Sequence, residues 1–176
     1  IDMNNNMYKA GNCNKKFTIQ SISKAIVLAM VLEDNDWSYV FSKVGMEPSG
    51  DPFNSIMKLE TTDTKKPCNP MINAGAIVTT SLIKGKDVKE KEERMLNFFK
   101  KLSKNDNLKI NYDVYESEKA TGDRNRAMAY LLKNDGFIEG NVEEVLDLYF
   151  KQCSIEVDCV DLARMGVNLA SYGVDI

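Results

Sequence analysis

Apolar residues fill every position of 25–32, behind a short β-prone segment carrying Phe17 and Ile19. A run this continuous is longer than an ordinary strand, and it predicts a buried helix over about 21–33. Helical spacing returns at Trp37, Val40, Phe41 and Val44 and stops at Gly45. A second mostly apolar stretch opens at Asn69-Pro70, a helix start signal, and continues through Asn73, Gly75 and Ile77 into Leu82 and Ile83. Gly75 inside it costs about 1 kcal/mol relative to Ala, which a close neighbour would justify. Residues 87–104 predict an amphipathic surface helix with Met95, Leu96, Phe98, Phe99 and Leu102 turned inward. Further helices are expected over 112–121, through 127–132, over 142–149 and over 162–172.

Between these helices the punctuation is polar. Gly11-Asn12, flanked by Tyr8 and by Phe17-Thr18-Ile19, predicts a hairpin. Two prolines and a glycine within 47–54 predict an ordered loop. Residues 58–61 are expected to be extended, and 62–66 to be a polar surface loop. The fold class is therefore mainly α, with a small hairpin or short strands.

The chain has 176 residues, 43% hydrophobic and 28% charged, which fits one domain, taken as 1–176 with the helical remainder over 37–172. A net charge of -3, with lysines and arginines scattered among acids, gives no general attraction to nucleic acid or to an anionic membrane. The longest apolar run falls far short of the ~20 residues needed to span a bilayer. The four cysteines, Cys13, Cys68, Cys153 and Cys159, form no Cys-x-x-Cys pair, and there is no histidine to complete a mixed zinc site. They read as reduced and structural, which favours the cytoplasm. The chain opens on Ile1, not Met, and is expected to be a piece of a longer protein.

A chain without histidine has few ways to activate a nucleophile. One is Ser-x-x-Lys, which on a helix puts the two side chains on one face. It occurs three times, at Ser21–Lys24, Ser55–Lys58 and Ser81–Lys84. Ser55 follows the Pro/Gly loop, and Lys84 stands before Gly85 as a cationic last turn suited to the helix dipole. Only Ser21 lies at a strand-to-helix junction, where unpaired N–H groups stabilise an alkoxide and the apolar run desolvates the Lys24 amine. The alternative there is a capping serine with a snorkelling lysine. Four other residues stand out, each with a structural alternative. Asn73 is an amide in an apolar helix, or a helix-start contact. Glu118 lies on the 112–121 face, where its structural alternative is a solvated surface acid. Asn125 follows Gly122-Asp123-Arg124 and could cap the next helix. Tyr149 lies in an apolar patch, where a phenol usually belongs to the core. The glycine-containing loops match neither the P-loop nor the dinucleotide fingerprint.

Five motifs occur in order: Gln20-Ser21-Ile22-Ser23-Lys24; Glu47-Pro48-Ser49-Gly50-Asp51-Pro52-Phe53-Asn54; Asn69-Pro70-Met71-Ile72-Asn73-Ala74-Gly75-Ala76-Ile77; Ser117-Glu118 with Thr121-Gly122-Asp123-Arg124-Asn125; and Tyr149-Phe150 with Cys153-Ser154-Ile155-Glu156-Val157. Together they resemble the serine-dependent glutaminases, whose α+β fold belongs with the serine β-lactamases and penicillin-binding proteins. The resemblance implies hydrolysis of L-glutamine to L-glutamate and ammonia, with Ser21 as nucleophile and Lys24 as its activating partner. It implies that Ser21, Asn73, Glu118, Asn125 and Tyr149 contact the substrate. It implies no metal or organic cofactor; the charge balance already argues against a nucleic-acid or membrane partner, and exposed faces that should meet absent segments favour a homo-oligomer. The family extends further at both ends, with an upstream tyrosine, a downstream tyrosine and a Lys-Ser-Gly strand, so truncation at both ends is expected. Two other readings stay open: a catalytically inactive helical binding or oligomerisation module, and a penicillin-recognising Ser-Lys hydrolase.

Overall fold

The computed structural model describes residues 1–61 and 63–173, without the side chain of Lys58. Thr62 of the expected 62–66 loop, and the lysine side chain of the Ser55–Lys58 match, lie outside the described residues. The order of elements is β1 (Phe17–Thr18), a 3-10 turn (Gln20–Ile22), α1 (Ser23–Asp34), α2 (Trp37–Lys43), α3 (Met57–Thr61), α4 (Asn73–Ser81) and α5 (Val88–Ser103). There follow β2 (Lys109–Ile110), α6 (Tyr112–Thr121), α7 (Asp123–Asn134), α8 (Val142–Cys153), β3 (Ile155–Val157) and α9 (Cys159–Ala170).

Helix α4 is the centre of the packing. Its residues from Asn73 to Thr80 are all buried, and α1, α7 and α8 pack around it. Alanines and a glycine in its first turns let neighbours come close, and the hydroxyls of Thr79 and Thr80 bond back to Gly75 O and Ala76 O at 2.9 and 2.8 Å. Around this axis the core is filled by Phe99, Phe150, Ile77, Met128, Leu132 and Leu146. Helix α5 lays its Met95 and Phe99 face inward, begins with Asp87 accepting from Glu90 N, and ends at Lys104 in the left-handed region.

The strands form one three-stranded antiparallel strip in the order β1-β3-β2, with Phe17 opposite Val157 and Ile110 opposite Ile155. The hairpin expected around Gly11-Asn12 does not form. Strand β1 pairs with β3 instead, which buries Ile19, Ile155 and Val157, and the Gly11 region runs back over α9, with Cys159 N donating to Cys13 O at 3.2 Å. Residues 58–61, expected to be extended, belong to helix α3, which Leu59 pins into the core. Asn69-Pro70 precedes helix α4 without starting it: Asn69 Oδ1 accepts from Met71 N and Ile72 N in a side-chain turn. The helix expected over 142–149 runs on to Cys153, and the one expected over 162–172 starts at Cys159 behind a capping box of Asp158 and Asp161.

The glycine in α4 has the close neighbour that its position requires. A Cβ built on Gly75 would stand 1.9 Å from Asn69 O and 2.7 Å from Asn69 C, both backbone atoms. Gly75→Ala therefore sets a gain of about 1 kcal/mol in helix propensity against a backbone clash. The clash should win, lowering stability by about 1–3 kcal/mol in urea denaturation. An unchanged or higher urea midpoint would show that the approach of Asn69 does not require a glycine at this position.

Candidate active site

Strand β1 delivers the chain to the turn that carries Ser21. Ile19 N donates to Ile155 O at 2.9 Å, fixing the end of the strand against β3. Gln20 then takes φ +51°, in the left-handed region that a side chain enters at a cost of about 1–2 kcal/mol. Its amide nitrogen lies 3.2 Å from both Thr18 Oγ1 and Glu118 Oε1. Its carbonyl accepts from the backbone N–H and, at 2.6 Å, from the hydroxyl of Ser23. Ser21 stands on the exposed side of this 3-10 turn, and α1 begins two residues later.

Lys24, in the first turn of α1, is 3% exposed. Its Nζ donates to Met71 O at 2.9 Å and to Asn73 Oδ1 at 2.8 Å, and it lies 5.4 Å from the centre of the Phe53 ring. Burial lowers the pKa of the amine below that of an ordinary lysine, with the Cys153 thiolate form acting in the opposite direction. Asn73 opens α4 and passes the contact on: its Nδ2 donates to Asn125 Oδ1 at 3.1 Å, on the first turn of α7. The loop over 47–54 is tied to the same place, with Phe53 O accepting from Asn73 N and Asn54 O from Arg124 Nε, both at 2.8 Å.

The remaining two candidates approach from α6 and α8. Glu118 is half-buried and joined to the residue preceding Ser21 through the Gln20 amide. Tyr149 is buried on α8, and burial pushes its phenol well up, with Cys153 one turn further along and the charge of Glu118 adding to this. Burial likewise pushes the Cys153 thiol up to about 12, so it is no thiolate at neutral pH.

The structure thus joins Lys24, Asn73 and Asn125 directly and brings Glu118 to the turn through Gln20. Ser21 and Lys24 share the junction, but the hydrogen bonds of Lys24 go to Met71 and Asn73. The competing Ser81–Lys84 match falls apart: Ser81 bonds back to Val78 O, while exposed Lys84 reaches the Asp34 carbonyl at the end of α1. Gln20 and Phe53 carry no individual signal in the sequence, since an exposed glutamine and a loop phenylalanine are common. Among the described residues, no group of three or more His, Cys, Asp or Glu side chains is placed to hold a metal, and the four cysteines are free thiols. No helix among them is long and apolar enough to cross a membrane.

A mainly helical unit with a Ser-x-x-Lys turn at the head of a buried helix, set beside a short antiparallel strip, is the helical subdomain of a β-lactamase-like fold. Within that class the chain belongs to the glutaminase family, whose family model, described as Glutaminase, matches residues 1–176. It is 81% identical to a glutaminase of Clostridioides difficile over 100% of this chain and 57% of that protein. It is 59% identical to glutaminase 2 of Clostridium perfringens over 94% of this chain and 54% of that protein. The crystal structure of a probable glutaminase of Bacillus subtilis superposes with a TM-score of 0.90 at 42% identity, covering 94% of this chain and 53% of that one. The chain therefore spans a little over half the length of the curated relatives it matches.

The Lys24 environment makes a direct prediction. Followed by NMR, Lys24 should titrate below the ~10.4 of an ordinary lysine. Asn73→Asp places a carboxylate against the amine, favours the ammonium and should move that midpoint upward. A midpoint unmoved by the substitution would mean that the contact with residue 73 does not persist in solution.

Proposed function

We propose that this chain carries the nucleophile half of a glutaminase, which hydrolyses L-glutamine to L-glutamate and ammonia. The observation that carries the reading is the hydrogen-bonded chain Lys24–Asn73–Asn125 beneath the Ser21 turn, with Glu118 held to the same turn by Gln20. Ser21 Oγ attacks the side-chain carbonyl carbon of glutamine as its proton passes to the neutral amine of Lys24. The tetrahedral intermediate collapses as Lys24 returns that proton to the leaving nitrogen, releasing ammonia and leaving a glutamyl ester on Ser21. Water then adds to the ester, and glutamate departs with the Ser21 proton restored. Desolvation of Lys24 supports this role, because it raises the fraction of neutral amine near neutral pH.

The substrate groups have chemical counterparts. Glu118 suits the α-ammonium, while the amides of Asn73 and Asn125 and the Tyr149 phenol suit the α-carboxylate. The high phenol pKa keeps Tyr149 a donor, as that role needs. The same reading makes glutamine the small-molecule partner, places the chain in the cytoplasm, in keeping with its four free thiols, and makes it a homo-oligomer.

Ammonia release from glutamine tests the assignment. Ser21→Ala should abolish it while leaving the fold intact, and Lys24→Met should abolish it as well. Because the neutral amine is the base, kcat/KM should fall as pH drops below the lowered pKa of Lys24 and recover as it rises. A folded chain that releases ammonia equally well after Ser21→Ala would sink the nucleophile assignment. A folded parent that releases none would favour the helical binding module.

Glu118→Gln keeps the acceptor for Gln20 but removes the charge. A charge-assisted bond to the α-ammonium contributes about 1.5–3 kcal/mol, so KM for glutamine should rise by about ten- to a hundredfold. An unchanged KM would place the α-ammonium elsewhere.

A further inference from the structure

Three polar side chains lie in the interior immediately behind the Ser21 turn, and none belongs to the proposed substrate site. Ser23 and Gln152 are fully buried, and Thr80 is 1% exposed. They come from three separate elements: the head of α1, the last turn of α8 and the buried axis α4. Gln152 Nε2 donates to Ser23 Oγ at 3.1 Å, and Ser23 Oγ donates to Gln20 O at 2.6 Å. At the far end of the amide, Gln152 Oε1 lies 2.9 Å from Thr80 Oγ1, whose one hydroxyl proton is shared with Ala76 O.

A primary amide in an apolar interior is unfavourable unless its bonds are made, and an aliphatic side chain would fill the same volume without that penalty. This amide directs its donor to one hydroxyl, and that hydroxyl directs its own to one carbonyl. The carbonyl belongs to Gln20, which holds the left-handed backbone conformation directly before Ser21. Without the second donor, the only bond retained by that carbonyl among those described is the tight-turn N–H of Ser23, which is shared with Ser21 O. Left-handed backbone at a residue with a side chain persists where its surroundings over-determine it, and Ser23 with Gln152 supplies that constraint.

We propose that Ser23 and Gln152 are positioning residues for Ser21, acting through the Gln20 carbonyl to hold the nucleophile turn in its left-handed geometry. The inference rests on the glutaminase reading for its catalytic consequence, but its conformational part does not. Because α8 also carries Tyr149, one turn before Gln152, the same bond sets the nucleophile turn in register with that phenol.

The experiment combines kinetics with structure. In Ser23→Ala, kcat for glutamine should fall by about 10²-fold, as expected for a displaced nucleophile, with KM held within about twofold. A crystal structure of the variant should show Gln20 out of the left-handed region. Should Ser23→Ala fail to fold with its orphaned amide, the double variant Ser23→Ala/Gln152→Met removes both polar partners together. It should fold and show the same kcat loss and the same change at Gln20. A variant in which Gln20 keeps its positive φ, or in which kcat stays within about twofold of the parent, overturns the proposal. If the parent releases no ammonia while Gln20 still moves in the variant, the glutaminase reading falls and the conformational role of Ser23 stands.

Discussion

An ammonium taken out of water costs several kcal/mol unless acceptors replace its hydration, and the position of Lys24 imposes that condition on this fold. Its two oxygen acceptors, Met71 O and Asn73 Oδ1, both belong to the entry of α4. The register of α1 against α4 is therefore set at one point by a polar requirement as well as by apolar packing. The Asn69 side-chain turn ties up the N–H groups of Met71 and Ile72 just before the helix, leaving the Met71 carbonyl to point at the amine. The same segment brings Asn69 O across the first turn of α4, which only a glycine at position 75 admits. Asn69, Asn73 and Gly75 are three sequence features answering to one buried amine.

A second polar seam runs through Gln20, Ser23, Gln152 and Thr80, and it meets the first on the same two helices. Helix α4 contributes an amide to the Lys24 seam at its N-terminus and a hydroxyl to the Gln152 seam two turns later. Helix α1 contributes Lys24 to one and Ser23 to the other. Adjacent residues on α1 therefore face different polar partners, and rotation of that helix would break both sets of bonds together. This is how a helix pair whose apolar faces alone would tolerate some slippage is held in one arrangement.

Helices with one wet face were legible from sequence because their stripes are self-contained. The span of α6 matches the expected 112–121, and α5 differs from 87–104 only by its caps. The strands were not legible as a pair: Phe17-Thr18 looks for a local partner beside Gly11-Asn12, yet its partner is β3, far along the chain. The end of α8 was missed for a related reason. Gln152 breaks the apolar pattern after Tyr149 and Phe150, and only the hydroxyls of Ser23 and Thr80, supplied by tertiary packing, make a buried glutamine acceptable there. Its position on the buried side of an amphipathic helix was a signal for a polar network. Desolvation of Lys24 could be read from the apolar run that follows it, but not its partners, because Met71 O and Asn73 reach it only through the fold. Glu118, Asn125 and Tyr149 each look ordinary alone, and only the order of the motifs singled them out.

The hydrogen-bond polarity of the site carries information beyond its residue types. The Lys24 amine donates to both of its partners, so Asn73 turns its oxygen toward the amine and its NH2 toward Asn125. Asn125 answers with its oxygen, which makes its own NH2 the donor at the outer end of the chain. Across the turn, Gln20 donates to Glu118, which keeps a carboxylate as the acceptor on that side. One side of the Ser21 turn is thus built to give hydrogen bonds and the other to accept them. In the proposed reading, a zwitterionic α-amino acid brings a carboxylate for the donors and an ammonium for the acceptor. A cyclic amide or a peptide has no general need for such a pair, and that difference favours glutamine over a penicillin-like substrate in the proposed reading.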